Sequence, residues 1–511
     1  MSGSITRRIR TWAAALVAVA GTAAMQANAD TLYVNDATGN DAWDGRCEIW
    51  NGGTCGPKKT IQFALFIASN GDQIIVADGV YTGEWNRDID FGGLAVQLHS
   101  ASGPANCIID CELTSRAFQF RFGETPNTVV EGFTIRNGFP DAGLRNGGAI
   151  LCTGGSSPTI RNCVMEDNSA QRGGALACDD SSPVVESCVF RDNIAAEGGA
   201  YFGAASDTTF RDCTFTANEA TGLNGGGAIL TLQTDGLSVV RCAFLDNISA
   251  GNGGAVSSSL TLFHNSVPVF ESCLFGGNVT QGLGGAMFHS GGADLRNLTF
   301  SMNSAIQGGG AAYIRSGVDS PSITNSIVWG DTDPAIVISG GELSIDYSDI
   351  DGGFARIEIL NGGTLNWGAG NIVIDPAFND PANGDFHLTG NSPCIDAADN
   401  TAVPAGTVTD LDGNPRFVDD PNTPDTGNPD PNFPERGIVD MGAYEFQVGG
   451  CPGDLDGDGD TDLADLGILL SDFGCPAPGN PAPCEGDLDN DGDTDLADLG
   501  ILLADFGCGA P

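Results

Sequence analysis

Residues 158–178 read PTIRNCVMEDNSAQRGGALAC, and similar strings return as PVVESCVFRDNIAAEGGAYF at 183–202 and TTFRDCTFTANEATGLNGGGAIL at 208–230. One aligned column holds Cys163, Cys188, Cys213, Cys242, Cys273 and Leu298. A second holds Met165, Phe190, Phe215, Phe244, Phe275 and Phe300, and a third holds Asn168, Asn193, Asn218, Asn247, Asn278 and Asn303. Units this small cannot bury their own apolar side, so the repeat predicts a solenoid of stacked coils.

The spacing inside each unit predicts two short strands joined by a bend. Val185, Cys188 and Phe190 show the pattern, which has the period of two that is typical of strands and one break. Successive coils should lie about 4.8 Å apart, so that the columns become ladders inside the solenoid. The cysteine column should stay reduced, because a disulfide needs Cβ atoms only about 3.8 Å apart. Cys47 and Cys55 lie on one short loop and should pair.

These residues resemble the right-handed parallel β-helix of the pectate-lyase-like superfamily over most of residues 31–395. TLYVNDATGNDAWDG at 31–45 and TIQFALFIASNGDQIIVADGVYTG at 60–83 look like the opening of exported β-helix proteins described as probable pectate lyases. NTVVEGFTIRNG at 127–138 continues that pattern. The resemblance implies an all-β fold with a capping helix over 60–69 and a first coil strand at 73–76. The repeats also resemble those of bacterial polymorphic outer-membrane adhesins.

The chain divides into four predicted regions. Three arginines, an apolar stretch over 12–25 and Ala27-Asn28-Ala29 predict a signal peptide at 1–29. We therefore expect a secreted protein, extracellular or at the cell surface, without a transmembrane segment in the mature chain. The β-helix with its N-terminal cap is predicted for 30–395. A C-terminal solenoid cap with a loop rich in Pro and Asp follows at 396–448, and a small α-helical calcium-loop domain at 451–508.

The predicted C-terminal cap contains NSPCIDAADN at 391–400, TDLDGNPR at 409–416 and VDMGAYEF at 439–446. These strings look like the segment that closes the open end in many exported β-helix proteins. Asp410, Asp412 and Asn414 could hold a cation or could form a capping turn. Ordinary turn chemistry favours the second interpretation.

A duplicated acidic motif occupies the end of the chain, GDLDGDGDTDLADLGILLSDFG at 453–474 and GDLDNDGDTDLADLGILLADFG at 486–507. Each copy matches a twelve-residue calcium loop followed by one helix. The first loop offers Asp454, Asp456, Asp458, Asp460, Asp462 and Asp465 as Ca²⁺ ligands, with Asp460 contributing its carbonyl. The second loop offers Asp487, Asp489, Asp491, Asp493, Asp495 and Asp498, with the carbonyl coming from Asp493.

This arrangement resembles the type I dockerin, the module that attaches enzymes to scaffolds bearing cohesins. Leu463, Leu466, Leu470 and Phe473 fall at helical spacing after the first loop. The resemblance implies a cohesin-like protein partner. Dockerins that bind cohesins commonly carry Ser or Thr where this chain has Leu463-Ala464 and Leu496-Ala497, which puts cohesin binding in doubt. The bracketing cysteines suggest two disulfides of open connectivity: Cys451, Cys475, Cys484 and Cys508.

Charge limits the classes of partner. Sixty-six acidic residues against 21 basic ones give a formal net charge of −45, which repels nucleic acid and anionic membranes. The same surface suits calcium and neutral ligands. It accepts a polysaccharide that contains uronate only if a cation bridges the charges.

No catalytic residue follows from the sequence. A lyase needs a base, and the only lysines, Lys58 and Lys59, precede the cap helix. The recurring arginines look like a solvated outer row: Arg161, Arg211, Arg241 and Arg296. A hydrolase needs two carboxylates, for which Asp167, Asp192 and the pair Asp179-Asp180 are candidates on acidity alone, although turns also explain them. The four histidines, His99, His264, His289 and His387, form no motif.

Two functions stay open from the sequence. The first is a polysaccharide-active enzyme, of the pectate-lyase-like type, attached to a partner through the dockerin-like module. The second is a non-catalytic adhesin or glycan-binding surface protein. Three or more carboxylates converging beside an arginine in a groove of the outer face would favour the enzyme, and a flat outer face would favour the binding protein.

Overall fold

The computed structural model describes residues 29–140, 145–233, 236–259, 267–315, 320–447, 463–475 and 493–504, and also 455, 461, 484, 486–488 and 506. Within these ranges no helix combines the length and the apolar character that crossing a membrane requires.

The chain winds into a parallel β-solenoid in which sheets A and B are joined by the bend that the repeat predicts. Sheet A has 13 strands: Thr31–Val34, Gln73–Val76, Gln97–Ser100, Val129–Glu131, Thr159–Arg161, Val184–Glu186, Thr209–Arg211, Ser238–Val240, Val269–Glu271, Asp294–Arg296, Ser322–Thr324, Glu342–Asp346 and Thr364–Trp367. Sheet B has 11 strands: Gly79–Tyr81, Cys107–Asp110, Thr134–Arg136, Val164–Glu166, Val189–Arg191, Thr214–Thr216, Ala243–Leu245, Leu274–Gly276, Thr299–Ser301, Ile327–Trp329 and Asp349–Ile350.

Sheet C completes the coil before the chain returns to sheet A, and the middle coils contain a fourth sheet, sheet D. Sheet C has 11 strands: Ile89–Asp90, Phe118–Phe120, Ile150–Cys152, Leu176–Asp179, Tyr201–Ala204, Ile229–Leu232, Val256–Ser259, Met287–Ser290, Ala312–Arg315, Ile336–Ser339 and Ile357–Leu360. Sheet D, between B and C in the middle coils, has six: Ser169–Arg172, Ile194–Glu197, Glu219–Ala220, Ile248–Ser249, Val279–Thr280 and Ser304–Ala305. All strand pairs within these sheets are parallel, which confirms the predicted solenoid.

The strand register places like residues above one another. Met165 lies opposite Phe190, which lies opposite Phe215, and the column continues through the later coils. The rings of Phe215 and Phe244 have centroids 4.8 Å apart and planes only 4° apart, because the distance between coils sets the stacking distance. The predicted apolar ladder is therefore the core of the solenoid.

The corners of each coil use left-handed backbone. Between sheets A and B, residues just before the cysteine column have φ values of 48–54°: Asn162, Ser187, Asp212, Arg241, Ser272 and Asn297. A residue with positive φ reverses the side on which its neighbours point, so the following cysteine faces inward again. The one-residue break in the sequence pattern is this corner.

An amide ladder runs beside the phenylalanines. The Asn193 Nδ2 donates to the Asn218 Oδ1 at 3.0 Å and to the Met165 carbonyl at 2.9 Å, and the other ladder asparagines repeat this geometry. Asp331 takes the next place, where its Oδ1 accepts from the Asn303 Nδ2 at 2.8 Å. The prediction that these asparagines bond backbone groups and the neighbouring amide is confirmed.

The N-terminal end is closed by a short helix, Ile61–Leu65, inside the predicted range of 60–69. The predicted strand Gln73–Val76 is present with these bounds and begins the first coil with strands of sheets A, B and C, but Thr31–Val34 precedes it and pairs with it in parallel. The 3₁₀ turns are Glu84–Asn86, Gly353–Arg356, Pro381–Asn383 and Asn400–Ala402, and a small antiparallel hairpin joins Phe378–Asp380 to Asp385–Leu388.

Residues 378–446 form a lateral cover over the outer side of sheet B. Phe386, Ala443 and Tyr444 pack on Leu274, and the Ala443 amide donates to the Thr299 Oγ1 at 3.0 Å. The Asp399 amide donates to the Asn325 Oδ1 at 2.8 Å. The prediction that this segment closes the open end is therefore wrong: its contacts run along the side, because sheet B presents apolar residues outward there.

The described cysteines divide into disulfide-bonded and free ones, as predicted. Cys47 pairs with Cys55, and Cys475 pairs with Cys484. Cys451 and Cys508 lie outside the described residues. Ten described cysteines are free and buried, including the whole cysteine column. The prediction that the ladder stays reduced is thus confirmed.

Candidate functional site

A cleft of about 730 Å³ opens beside the N-terminal helix, where the first coils of sheet C begin. We call it the N-terminal cleft. Its walls come from the helix, from the 3₁₀ turn Glu84–Asn86, from strand Ile89–Asp90 and from residues 119–122. The sequence prediction did not identify this cleft, although the Trp, Arg and Asp residues clustered over 84–90 were the available signal.

Two buried amide side chains fix these walls to one another. The Asn86 Oδ1 accepts from the Ile61 amide at 3.0 Å, so that this residue, rather than Thr60, satisfies the first free amide of the helix. Gln62 accepts from the Asp90 amide at 2.8 Å and donates to the Asp90 carbonyl at 3.2 Å. The helix is thereby held against the first strand of sheet C.

Aromatic rings stand on two sides of the cleft. Phe63, Phe66 and Trp85 make edge-to-face contacts, with the Phe63 and Trp85 centroids 5.2 Å apart. On the other side, the Arg121 guanidinium lies 5.3 Å from the centroid of Phe122. Phe66 and Phe122 are 61% and 60% exposed, which is unusual for rings held in place by neighbours. The rings therefore offer apolar surface to a ligand.

Three carboxylates and two arginines line the same cleft. Arg121 donates to the Asp90 Oδ2 through Nε at 2.9 Å and Nη2 at 2.6 Å. Arg87 forms an ion pair with Glu112 at 3.0 Å and donates to the Thr114 Oγ1. Asp88 accepts from the Ser115 Oγ, and Glu84 is exposed. Both arginines are thus engaged, and the cleft presents an acidic surface.

The three acids are not a preformed metal site. Among the described residues, the carboxylate groups with oxygens within 4.8 Å of one another do not include Glu84, Asp88 or Asp90. The cleft brings three carboxylates and two arginines into one groove, but these acids do not converge as the sequence criterion for an enzyme requires. It provides rings and hydrogen-bonding groups for a polar ligand with apolar faces.

The predicted hydrolase acids lie elsewhere and apart from any cleft. Asp167, Asp180 and Asp192 have φ values of 53°, 50° and 55°, and they occupy coil corners with exposed side chains. Asp179 ends a strand of sheet C beside such a corner. Aspartate is one of the residues that tolerate this backbone, so the turn interpretation accounts for all four.

The recurring arginines lie on the outer face with partly exposed side chains, as predicted, and they also form ion pairs, three of them between coils. Arg161 pairs with Glu131, Arg211 with Glu186 and Arg241 with Asp212, each reaching the preceding coil. Arg296 pairs with Asp294 on its own strand. The Lys58 Nζ donates to the Asp41 carbonyl at 2.9 Å in the N-terminal loop. No lysine of the chain is placed to serve as a base in mid-solenoid.

The described parts of the calcium-loop domain show two helices, Leu463–Asp472 and Leu496–Ala504, each beginning at the tenth position of its predicted loop and including the last predicted ligand. Asp454, Asp456, Asp458, Asp460, Asp462, Asp489 and Asp491 lie outside the described residues. Oxygens of Asp493, Asp495 and Asp498 lie within 4.8 Å of one another. The Asp465 Oδ1 accepts from the Leu455 amide at 2.6 Å, and the Asp498 Oδ1 accepts from the Leu488 amide at 2.7 Å.

The apolar stripe of these helices points outward. Leu463, Leu470 and Phe473 are exposed, and so are their counterparts Leu496, Leu503 and Phe506. Leu469 and Leu502, which the helical spacing did not single out, are the buried ones. The duplicated helices therefore present an apolar surface that no described residue covers.

The cover motifs at 409–416 and 439–446 meet in one buried hydrogen-bond network. The Asp410 Oδ1 accepts from the amides of Asp412 and Asn414 at 3.0 and 2.8 Å, and its Oδ2 accepts from the Glu445 amide at 3.0 Å. The fully buried Arg416 donates to the Asp440 and Gly442 carbonyls. Asp410 is thus occupied by backbone amides, which favours the turn interpretation over the cation interpretation.

The histidines do not gather. His387 contacts Asp385 and Asp412; burial alone would lower its pKa, but these two hydrogen bonds outweigh burial and raise it. The His289 Nε2 lies 2.8 Å from the Gly292 carbonyl inside the solenoid, and His99 contacts Gln73 on sheet A. His264 lies outside the described residues.

Comparison with known proteins supports the architecture. The family described as right handed beta helix region matches residues 82–244. The chain is a right-handed parallel β-helix. The match covers the wall of the N-terminal cleft from residue 82 onward and the coils that carry the ladders as far as Cys242 and Phe244. A search of curated proteins finds no match.

Solved structures with similar coordinates are distant in sequence. Pectate lyase Pel9A is 13% identical, with a TM-score of 0.47, over 82% of this β-helix chain and 96% of that chain. The catalytic domain of a GH87 alpha-1,3-glucanase is 12% identical with a TM-score of 0.38, over 61% of this chain and 67% of that one. The Streptococcus pneumoniae surface protein and adhesin PfbA is 10% identical with a TM-score of 0.29, over 59% and 91%. Values this low carry no argument about chemistry.

Proposed function

We propose that this exported β-helix protein holds a polysaccharide chain in the N-terminal cleft. The observation that carries the proposal is the pairing of exposed, fixed aromatic rings with hydrogen-bonding acids in one cleft of about 730 Å³. Sugar rings have apolar C–H faces and polar hydroxyl edges. The faces pack on aromatic rings and the hydroxyls donate to carboxylates.

The charge of the cleft favours a neutral sugar, or an acidic one that arrives with a cation. Glu84 and Asp88 form no ion pair within the described structure, although Asp88 acts electrostatically on Arg116, whereas Arg87 and Arg121 are already paired with acids. A bare uronate chain would meet like charge both in the cleft and over the whole surface. Calcium between the carboxylates of the protein and those of the sugar would remove that repulsion.

Binding to immobilised polysaccharides of neutral and uronate type tests the proposal. Trp85→Ala and Phe66→Ala should each lower affinity at least tenfold, about 1.4 kcal/mol. Phe354→Ala is the matched control, because Phe354 is 61% exposed like Phe66 but lies at the opposite end of the solenoid. Equal affinity of all variants on every polysaccharide that binds would exclude the cleft as the binding site.

Calcium-dependent elimination is the second candidate, favoured by three carboxylates and two arginines in the same cleft. A lyase of this kind removes the proton next to a uronate carboxylate and leaves an unsaturated sugar that absorbs ultraviolet light. Incubation with acidic polysaccharides and calcium should then give that absorbance. Reducing ends without it would indicate hydrolysis, and no product from a substrate that binds would indicate a non-catalytic binding or adhesin function.

The terminal domain is proposed to bind two calcium ions and, through its exposed apolar helices, a cohesin-like partner. Support comes from the clustered oxygens of Asp493, Asp495 and Asp498 and from the helix starts at Leu463 and Leu496. Capture on an immobilised type I cohesin, with calcium and with chelator, tests the partner. Leu463 and Leu496 replace the usual Ser or Thr, so failure to bind would indicate a cohesin of different specificity or another apolar partner.

A further inference from the structure

A second carboxylate cluster lies in the lateral cover, far along the chain from the terminal calcium loops. One oxygen each of Asp396, Asp419 and Asp425 lies within 4.8 Å of the other two. Asp396 belongs to the segment that packs in the apolar core of the cover, and the other two acids lie on the loop rich in Pro and Asp. The cluster therefore joins two segments that the sequence separates.

Asp396 is fully buried and only half satisfied. Its Oδ2 accepts from the Asp420 amide at 3.1 Å. Its Oδ1 has no hydrogen-bond partner among the described residues. A buried carboxylate oxygen without a partner is unfavourable, and more so when the group is charged. A cation at this oxygen would remove that cost.

Backbone hydrogen bonds hold the three carboxylates together independently of any ion. The Asp396 carbonyl accepts from the Thr426 and Gly427 amides, both at 3.0 Å, which fixes the residue after Asp425. The bond from the Asp420 amide to Asp396 fixes the residue after Asp419. The loop is thus bonded to Asp396 at two places, one beside each exposed acid. Both exposed acids are thereby held near Asp396.

No basic side chain neutralises the cluster. Within the described residues, none of the three acids forms an ion pair with Arg, Lys or His. Arg436, the arginine that lines the adjoining cleft, places its guanidinium over Phe417 and Phe433 at 4.5 and 4.3 Å from their centroids. Three like charges this close repel one another unless a cation lies among them.

We propose that Asp396, Asp419 and Asp425 bind a calcium ion that fastens the loop over 419–427 to the core segment around Asp396 within the lateral cover. Carboxylate oxygens are hard ligands, and oxygens bonded to one calcium ion at about 2.3–2.6 Å lie within about 5 Å of one another. A cleft of about 490 Å³ adjoins Asp419 and Asp425 and leaves space for the water ligands that complete the coordination. This structural site is separate from the two terminal loops and from the N-terminal cleft.

Calcium stoichiometry of the full-length protein, measured by titration calorimetry after chelation, tests the site. Asp425→Asn should lose one bound calcium ion per chain, or bind that ion at least tenfold more weakly, and should fold normally because Asp425 is exposed. Asp430→Asn is the matched control on the same loop, where the carboxylate accepts only from Asn432. Asp396→Asn, which alters the buried ligand, should repeat the loss.

Hydrogen exchange of the peptide over 419–436 locates the ion. Calcium should slow exchange there in the wild type and in Asp430→Asn but not in Asp425→Asn. Unchanged stoichiometry together with unchanged exchange in Asp425→Asn would overturn the proposal. Slowing by magnesium but not by calcium would overturn the assignment of the ion.

Discussion

At the scale of single residues, Asp331 is the exception in an otherwise uniform ladder. Six asparagines bond one another through buried amides, and an aspartate takes the seventh place. Burial raises the pKa of Asp331 to about 7. Hydrogen bonds from Asn303 oppose that rise only in part. Its Oδ2 has no partner among the described residues. The ladder therefore contains one titratable carboxyl group among its amides.

Asp331→Asn should stabilise the protein more at pH 8 than at pH 5. Between the ordinary aspartate pKa and about 7, the folded state holds a proton that the unfolded state has lost, so the stability of the wild type falls as pH rises. The amide carries no such penalty and can donate to the Phe300 carbonyl as the other ladder residues do. We expect about 1–3 kcal/mol at pH 8, measured by denaturant unfolding.

The matched control for this substitution is Asp333→Asn, two residues away, whose side chain is 71% exposed. It makes the same charge change without a buried oxygen and should show no gain that depends on pH. An equal effect of Asp331→Asn at both pH values would mean that this carboxyl does not titrate in that range.

The buried thiols should be inert in the folded protein. Burial raises the pKa of Cys273 to about 12 and raises those of Cys188 and Cys242 as well, so that these three thiols carry almost no thiolate at neutral pH. Burial also acts to raise the pKa of Cys163, but hydrogen bonds, first that with Cys188, lower it, so only its inaccessibility protects this thiol. The ten described free thiols should react with a disulfide reagent after denaturation without reductant, and essentially none of them before it. Peptide mapping that finds ladder cysteines unlabelled after denaturation would mean that they are oxidised.

At the scale of elements, the two terminal helices depend on loops of unusual charge. The domain is too small for a large core, and its described buried apolar side chains are Leu469 and Leu502. Calcium bound only by the folded form would add about 2.7 kcal/mol at a hundredfold excess over Kd. The disulfide Cys475–Cys484 ties the two copies together but does not remove the repulsion of the loop acids.

We therefore predict that the helices Leu463–Asp472 and Leu496–Ala504 form only with calcium. Hydrogen exchange on the full chain should show fast exchange of both helices in chelator and slow exchange with calcium. Asp498→Ala should abolish protection of the second helix and weaken that of the first, whereas Asp36→Ala should change neither. Slow exchange of both helices in chelator would show that the disulfide suffices and calcium is incidental.

At the scale of the whole molecule, the net charge of −45 should decide which polysaccharides bind. A neutral chain should bind equally well with chelator and with calcium, since hydroxyl groups and aromatic rings need no cation. A uronate chain should bind only with calcium and should weaken as salt screens the bridged charges. Binding of a uronate chain in chelator at low salt would contradict the proposed cleft, because the repulsion is strongest there.

The features of the fold that the sequence predicted are mainly those that repeat along the chain. The Cys, Phe and Asn columns predicted the parallel coils, the corner between sheets A and B and the reduced thiols, because a solenoid turns sequence period directly into spatial neighbours. The disulfide between Cys47 and Cys55 was predictable because the two cysteines are close in the sequence. The terminal helices were predictable because each begins within its own acidic motif.

Only the tertiary structure decided features that depend on distant partners. Residues 378–446 lie along sheet B because Leu274, Thr299 and Ile327 face outward there, and no local pattern indicates that contact. The N-terminal cleft and the Asp396 cluster likewise bring together residues from separate segments without a repeat. Side chains that repeat with the coils were predictable from order along the chain, whereas these sites depend on how non-repeating segments pack against the solenoid.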